Sequence, residues 1–336
     1  MYKVGMYGGS FNPLHLGHIQ CIIEAANQCK ELHIVISYSK NRNEISEKIR
    51  YRWIHNLTKH IGNVKIHLLE DTVSSKEEYT EKEWKKGAAI IKKKIDKPID
   101  VVFCGSDYAE NKIYENLYDE SKVVYFDRDN NGISSTMIRQ NPFKYWDYIP
   151  NIVRPYYVKK VLLVGGESTG KSTLTQNLAY VYNTNFVEEV GRYICERAGN
   201  EDTMISEDFM EIMLRHKVKE LEALNFSNKL LFVDTDCLTT KFYSAFLDEE
   251  ESSVSKNQRL ADAIQQFSNF DLVLFLETDV DFIQDGTRNE KIAADRIFYS
   301  NQIKELLDEA GVCYHVISGD YEERFLKAKG YVDRLL

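Results

Sequence analysis

A glycine-rich segment at residues 165–173 constrains the fold of this chain more than any other feature. It has the spacing G-x-x-x-x-G-K-[ST] and lies between an apolar run, residues 161–164, and a helical pattern that begins near Leu174. Glycines let backbone N–H groups wrap round a phosphate, and a helix start adds unpaired N–H groups and a positive dipole end. We therefore predict a nucleotide site in which Lys171 reaches the β- and γ-phosphates and Ser172 binds Mg²⁺.

The other residues of this loop are expected to contact the phosphates as well. A chance glycine-rich turn is the alternative, and both the strand before the loop and the helix after it argue against that interpretation. The predicted contacts come from Gly166, Glu167, Ser168, Thr169, Gly170 and Thr173.

A pair of aspartates follows a buried strand further along the chain. Residues 230–233 form an apolar run that ends in Asp234-Thr235-Asp236. A carboxylate in this position is the expected Mg²⁺ partner of a phosphate-binding loop. We assign Asp234 to Mg²⁺ or to accepting a proton from a substrate hydroxyl. Asp236 is assigned to a ribose hydroxyl, with helix capping as the alternative.

Two arginines lie in a polar stretch after the strand that we predict at residues 271–277. Arginine suits a lid that closes over phosphates, because its planar fork can pair bidentately with phosphate oxygens. Arg288 is the first choice for such a lid residue and Arg296 the second. Surface ion pairing is the alternative for both.

The first half of the chain begins with another glycine-rich turn between a strand and a helix. The turn, residues 8–18, reads Gly-Gly-Ser-Phe-Asn-Pro-Leu-His-Leu-Gly-His, and an amphipathic helical pattern follows it. His15 and His18 stand at the helix start without carboxylate or cysteine ligands nearby, which disfavours a metal site. Two imidazoles beside free helix N–H groups suit a polyphosphate better.

Strands and helices alternate through the rest of this half, which predicts a parallel sheet with helices on both faces. Ligands of such sheets bind at the carboxyl ends of strands. The histidine turn and Gly105-Ser106-Asp107 both fall at such ends. We therefore expect them to line one site.

Residues 133–139 read Ile-Ser-Ser-Thr-Met-Ile-Arg and place three hydroxyls at the start of a short helix. Taken alone, they are equally compatible with an N-cap and a first helical turn. Together with the extended motif G-x-F-x-P-x-H-x-G-H, however, the segment resembles the two signatures of the nucleotidylyltransferase superfamily, in the same order. In that family the first signature binds ATP and stabilises charge as pyrophosphate leaves. The hydroxyls and arginine of the second contact the ATP phosphates.

Length, charge and cysteine content limit the number of domains, the kind of partner and the cellular compartment that we expect. The chain has 336 residues, enough for two domains, and its formal net charge of −9 argues against a nucleic-acid partner. It shows no signal peptide and no apolar stretch near the ~20 residues of a membrane helix. Six cysteines without C-x-x-C or metal spacing indicate reduced core residues. We expect a cytoplasmic protein without a membrane partner.

We predict an α/β fold made of two parallel-sheet domains. Residues 1–140 form a Rossmann-like nucleotidylyltransferase domain, and residues 161–336 form a P-loop kinase domain. Residues 141–160 contain three prolines and six aromatics, which indicates a packed junction rather than a flexible linker. Trp146 is expected to pack within it, with stacking on a ligand ring as the alternative.

An adenylyltransferase half followed by a P-loop kinase half resembles the NadR family. The most specific features are Asn-Pro-Phe-Lys-Tyr-Trp at residues 141–146, the phosphate-binding loop, and Asp234-Thr235-Asp236 followed by two threonines. Members of that family are bifunctional nicotinamide-mononucleotide adenylyltransferases and ribosylnicotinamide kinases. The resemblance implies that nicotinamide riboside and nicotinamide mononucleotide (NMN) are substrates, that ATP is the co-substrate with Mg²⁺, and that NAD is the product.

The resemblance also implies roles for individual residues. His15 and His18 would act on the leaving pyrophosphate, and Glu189 and Arg192 match the family's E-Y-[GA]-R with valine in place of tyrosine. That departure weakens the case for ring stacking at Val190. The nucleotide contacts implied in the first half are Gly9, Ser10, Phe11, Gly17, Arg42, Gly105, Ser106, Asp107, Ser134, Ser135, Thr136 and Arg139.

Other expectations and rival interpretations remain open at this point. Some family members begin with a helix-turn-helix that represses transcription; this chain starts at the adenylyltransferase strand, so we do not expect it to bind operator DNA. A homo-oligomer is expected from fold analogy alone. A fused phosphopantetheine adenylyltransferase and dephospho-coenzyme A kinase is the nearest rival enzyme. A regulator that senses NAD or ATP without turnover is the rival from another class.

Overall fold

The computed structural model describes residues 1–75, 78–126, 132–247, 250–284 and 289–336. The chain divides into two compact units, Met1–Arg154 and Pro155–Leu336. Each unit contains a five-stranded sheet whose paired strands are all parallel, with helices between the strands. The predicted fold class, two parallel-sheet α/β domains, is therefore confirmed.

The sheet of the first unit has the strand order β3-β2-β1-β4-β5. Its strands are β1 (Tyr2–Gly9), β2 (Cys29–Tyr38), β3 (Val64–Glu70), β4 (Val101–Gly105) and β5 (Lys122–Phe126). Its helices are α1 (Leu16–Gln28), α2 (Glu47–Thr58), α3 (Glu81–Ile95), α4 (Ile113–Leu117) and α5 (Ser135–Gln140). The order reverses between β1 and β4, and ligands of open α/β sheets bind at such a reversal.

The core of the first unit explains why the central strands read as apolar runs. All five residues of β4 are buried. Val102 and Cys104 of β4 pack with Val4 and Met6 of β1 and with Ala88 of α3 in one apolar cluster. In the junction, the Trp146 side chain is only 4 % exposed. The Arg154 guanidinium lies over it, 5.3 Å from the centroid of the Trp146 ring.

The sheet of the second unit has the strand order β10-β9-β6-β8-β7. Its strands are β6 (Lys159–Gly165), β7 (Phe186–Val187), β8 (Leu230–Asp234), β9 (Leu272–Leu276) and β10 (His315–Ile317). Its helices are α6 (Lys171–Val181), α7 (Val190–Ala198), α8 (Ser206–Ala223), α9 (Cys237–Leu247), α10 (Glu251–Gln265), α11 (Glu290–Ala294), α12 (Arg296–Glu309) and α13 (Tyr321–Asp333).

The core of the second unit fixes the position of its phosphate-binding loop. Leu174 and Leu178 of α6 pack against Val161 and Leu163 of β6, together with Phe232 of β8. The loop between β6 and α6 is therefore held at both ends by buried apolar side chains. Within the described ranges, no helix is long and apolar enough to cross a membrane.

Candidate nucleotide sites

The histidine turn of the first unit places two imidazoles at the start of α1. His15 and His18 are both buried, and their ring centroids lie 3.8 Å apart. His15 occupies the N-cap position without forming a side-chain cap. A Cβ on Gly17 would come within 3.3 Å of the His15 ring, so glycine allows this close approach. The two ring planes are tilted by 30°. Adjacent imidazoles at a helix N-terminus form an environment that stabilises an anion.

The second signature packs directly on the first, although more than 120 residues separate them in the chain. Ser135 Oγ donates to the Pro13 carbonyl at 2.9 Å. Arg139 Nη1 donates to the Asn12 carbonyl, and Arg139 Nη2 donates to Thr136 Oγ1 at 3.1 Å. Ser134 caps α5, accepting from the N–H of Met137. The helix-cap interpretation therefore holds for Ser134, while Ser135 and Arg139 join the two motifs.

The segment Gly105-Ser106-Asp107 and Arg42, also candidates of this unit, lie in two different surroundings. Gly105 ends β4, and Ser106 and Asp107 begin the short 3-10 helix that follows it. Because β4 is paired with β1, this segment follows the strand beside the histidine turn. Arg42 instead forms ion pairs with Glu44 at 2.9 Å and Asp71 at 3.0 Å, so its charge is balanced within the protein.

Gly9, Ser10 and Phe11 form the start of the histidine turn. A Cβ on Gly9 would lie 3.1 Å from the Phe11 ring, and the Phe11 side chain is fully buried. The carbonyl of Ser10 accepts a hydrogen bond from Arg50 Nη1 at 2.7 Å. This turn is thus a rigid support for the two imidazoles.

The phosphate-binding loop of the second unit has the backbone that its glycines require. Gly165 has φ +149°, and a Cβ there would lie 2.5 Å from the Leu276 carbonyl oxygen. Gly170 precedes α6 with φ 82°, in the left-handed region. Lys171 Nζ donates to the Gly166 carbonyl at 2.8 Å, so the ammonium lies over the loop. These features place N–H groups and a positive charge around one point.

Asp234 lies beside this loop because β8 is paired with β6, with Leu163 opposite Asp234 in the register. The side chain is almost fully buried and accepts a hydrogen bond from Ser172. Burial, followed by the charge of Glu189, raises the pKa of Asp234 above its usual range, and Lys171 opposes the shift. A carboxylate and a hydroxyl oxygen in contact form a donor set that suits Mg²⁺.

Asp236 has a different position from Asp234. Its Oδ1 accepts from the N–H of Thr239 at 3.0 Å and from Thr239 Oγ1 at 3.1 Å, which is the capping alternative. Its Oδ2 is buried and has no hydrogen-bond partner among the described residues. Asp236 also lines the cavity beside the loop. Helix capping thus uses only one oxygen of this carboxylate.

The cavity beside the phosphate-binding loop measures about 230 Å³ and is lined by both polar and apolar side chains. Predicted residues that line it are Glu167, Ser168, Thr169, Gly170, Lys171, Ser172, Thr173, Glu189, Arg192 and Asp236. Its apolar wall includes Met204, Phe209, Ile212 and Leu247. Val190 is packed in an apolar cluster with Ile194 and Phe209. The cavity has the composition of a site for a small polar molecule with an apolar part.

Comparisons with known proteins agree with the division of the chain into two units. Residues 6–141 match the family described as cytidylyltransferase-like, and residues 160–324 match the AAA domain family. The trifunctional NAD biosynthesis/regulator protein NadR of Salmonella typhimurium is 31 % identical over 349 aligned positions, covering 99 % of this chain and 83 % of that protein. This chain belongs to the NadR family. The predicted resemblance is confirmed.

Two solved structures of NadR proteins share the fold. One, in complex with NR, has a TM-score of 0.83 and 23 % identity, and the match covers 100 % of this chain and 96 % of that one. The other, in complex with NAD and AMP-PNP, has a TM-score of 0.81 and 22 % identity with the same coverage. The NadR architecture therefore spans both units of this chain.

The structure describes one of the two predicted lid arginines of this NadR protein. Arg288 lies outside the described residues. Arg296 begins α12, and its Nη2 donates to the Ser168 carbonyl at 3.2 Å. Its Nη1 donates to the Val280 carbonyl at 2.7 Å. Arg296 thus contacts the phosphate-binding loop through the loop's backbone.

Sequence reasoning missed two buried arginines that support these sites. Arg50 donates to the carbonyls of Ser10 and Ser37 and pairs with Glu44. Arg324 of α13 donates to the Thr169 carbonyl at 2.6 Å and to the Glu277 carbonyl at 2.8 Å. Neither has a local sequence signal, because both act through contacts with residues distant in the chain.

Proposed function

We propose that this NadR protein makes NAD from nicotinamide riboside in two ATP-dependent steps, one in each unit. The observation that carries the proposal is that one chain holds both sites: the imidazole pair at α1, and the loop with Lys171, Ser172 and Asp234. A relative named as an NAD biosynthesis protein aligns with nearly the whole chain. The NadR structures with NR, NAD and AMP-PNP support the same substrates.

The second unit performs the first step, which is phosphoryl transfer. The 5′-hydroxyl of nicotinamide riboside attacks the γ-phosphorus of ATP, the bond to the β–γ bridging oxygen breaks, and ADP leaves. Lys171 and the loop N–H groups stabilise charge on the phosphate oxygens. Asp234 accepts the hydroxyl proton, a role that its raised pKa favours at neutral pH.

Ser172 and Asp234 also form the Mg²⁺ site of this proposal. Their oxygens are in hydrogen-bond contact, and Asp234 is a buried carboxylate at the end of β8. Bound Mg²⁺ would supply positive charge to the transferring phosphate. In that state the proton of the substrate hydroxyl would pass to solvent or to a phosphate oxygen. The two assignments of Asp234 are thus alternatives.

The first unit performs the second step, which is adenylyl transfer. The phosphate oxygen of NMN attacks the α-phosphorus of a second ATP, and pyrophosphate leaves as NAD forms. His15, His18 and the N-terminus of α1 stabilise the charge that develops on the leaving group. No covalent enzyme intermediate is required, so positioning and electrostatics account for the catalysis.

The experiment that tests this function supplies purified protein with ATP and Mg²⁺ and one acceptor at a time. We expect nicotinamide riboside to give NMN and then NAD, and NMN to give NAD with one pyrophosphate per turnover. Chromatography of the products provides the readout. Turnover of phosphopantetheine with no reaction of either nicotinamide compound would overturn the proposal.

A further inference from the structure

We infer that Glu167 and Glu201, joined through Asn289, form the part of the cavity that binds the positively charged ring of the acceptor nucleoside and disfavours a ring carrying a carboxylate. The inference rests on the proposed kinase reaction, and it identifies which side chains choose the acceptor. Both glutamates line the cavity beside the phosphate-binding loop.

Three different segments bring these groups together. Glu167 belongs to the phosphate-binding loop, Glu201 begins a 3-10 helix after α7, and Asn289 precedes α11. The N–H of Asn289 donates to Glu167 Oε2 at 3.1 Å, and its Nδ2 donates to Glu201 Oε1 at 2.7 Å. Tyr243 donates its hydroxyl to Glu167 Oε1 at 3.1 Å. Neutral donors therefore fix the positions of two carboxyl groups.

Neither carboxyl forms an ion pair with any residue in the described part of the chain. Burial raises the pKa of Glu167 to about 7, and the charge of Glu201 contributes to this shift. Burial also raises the pKa of Glu201, followed by the charge of Asp202. The charge of Lys171 opposes the shift of the Glu167 pKa, and the charge of Lys291 opposes that of Glu201. Carboxylates held near one another disfavour their own ionisation, and a cationic ligand that contacts both relieves that cost.

An independent observation concerns Asp236, which lines the same cavity. Asp236 is 94 % buried, and its Oδ2 has no hydrogen-bond partner among the described residues. A buried carboxylate oxygen without a partner is costly, so a ligand hydroxyl there would be stabilising. The cavity thus suits a molecule that carries both a hydroxyl donor and a positive charge.

The apolar lining indicates what kind of cation fits. Met204, Phe209, Ile212 and Leu247 line the same cavity as the two glutamates. An ammonium group would lose its hydration against such a wall, whereas an aromatic cation spreads its charge over an apolar ring. The pyridinium of nicotinamide riboside has this chemistry. A pyridinium that bears a carboxylate brings a negative charge towards Glu167 and Glu201, and repulsion opposes its binding.

The test compares three ribosides that differ in the charge of the ring system. Nicotinamide riboside is cationic, its 1,4-dihydro form has nearly the same shape without the charge, and nicotinic acid riboside adds a carboxylate. We would measure kcat/KM for each with wild type, Glu201→Gln and Glu201→Asp. Glu196→Gln, at an exposed position of α7, is the matched control.

The inference predicts that Glu201→Gln lowers kcat/KM for nicotinamide riboside by about 10- to 150-fold, the range for losing a charged interaction. The dihydro form should change little, nicotinic acid riboside should gain relative to nicotinamide riboside, and Glu201→Asp and Glu196→Gln should retain the wild-type preference. Activity of Glu201→Gln on the dihydro form also shows that the variant folds.

Two results would overturn the inference, and they differ in what else they affect. Equal losses on all three ribosides in Glu201→Gln, or an unchanged preference, would reject charge selection while the kinase reaction stands. No phosphorylation of nicotinamide riboside by wild type would reject the proposed function and this inference together.

Discussion

At the scale of single residues, the two motifs place charge where phosphate chemistry needs it. His15 and His18 lie side by side at the start of α1, and Lys171 lies over the loop that precedes α6. Both positions combine a helix N-terminus with a cationic or polar side chain. This combination of a helix N-terminus and a cationic or polar side chain thus occurs once in each unit.

His18→Ala should slow the formation of NAD from NMN by about 10- to 150-fold, because a charged hydrogen bond contributes roughly 1.5–3 kcal/mol. Steady-state release of pyrophosphate measures this effect. His60→Ala, at an exposed position after α2, is the control and should retain the wild-type rate. A wild-type rate in His18→Ala would remove His18 from the catalytic role.

Gly165→Ala should abolish most riboside phosphorylation, since the new Cβ would meet the Leu276 carbonyl in a backbone conformation that L side chains avoid. The strain is about 1–3 kcal/mol or more, enough to displace the loop. Gly330→Ala adds a Cβ with nothing within 4 Å in α13 and should stabilise the protein slightly. Similar kinase rates in the two variants would contradict this account of the loop.

At the scale of elements, β2 and β3 carry a histidine pair that has no role in either proposed reaction. His33 Nε2 donates to Glu31 Oε1 at 2.7 Å, so its Nδ1 accepts from His67 Nε2 at 2.8 Å when His33 is neutral. Lys65 and Lys97 also pair with Glu31, and Lys94 lies near His67. A second proton on His33 would make its Nδ1 a donor, and the hydrogen bond would then require the His67 tautomer whose Nε2 accepts.

This geometry predicts a pH dependence of stability. Burial lowers the pKa of both His33 and His67 below the usual 6.5, so the unfolded chain binds more protons below that pH. The stability contributed by this pair is therefore present above about pH 6.5 and is lost as the pH falls further. Thermal unfolding of wild type and His33→Gln between pH 7.5 and 5 measures the difference.

The matched control for this pH dependence is His55→Gln, at an exposed position of α2. Comparing variants cancels the groups that titrate in the opposite sense, such as Glu167, whose raised pKa makes the folded protein lose stability as the pH rises. If wild type and His33→Gln lost stability in parallel on acidification, the histidine pair would have no part in it.

The sequence was sufficient for elements with a strong local pattern and insufficient for contacts between distant segments. The strands before both motifs and the helices after them were predictable from apolar periodicity and glycine spacing. The helix α10 was not, because its first turn is acidic and polar. Arg50 and Arg324 were missed since their partners lie far away in the chain.

At the scale of the whole molecule, two self-contained units are joined in one chain. Each unit has its own parallel sheet, its own apolar core and its own strand–turn–helix site. The relative from Salmonella typhimurium aligns across both of them. The account therefore predicts two reactions that a single substitution can separate.

Mixing two single-site variants tests this central claim most directly. Alone, Lys171→Ala should leave nicotinamide riboside unchanged, and His18→Ala should convert it to NMN that accumulates. Together, with ATP and Mg²⁺, they should produce NAD after a lag, because released NMN passes to the intact adenylyltransferase site of Lys171→Ala. Formation of NAD from riboside by Lys171→Ala alone, or no gain on mixing, would contradict the assignment of one step to each unit.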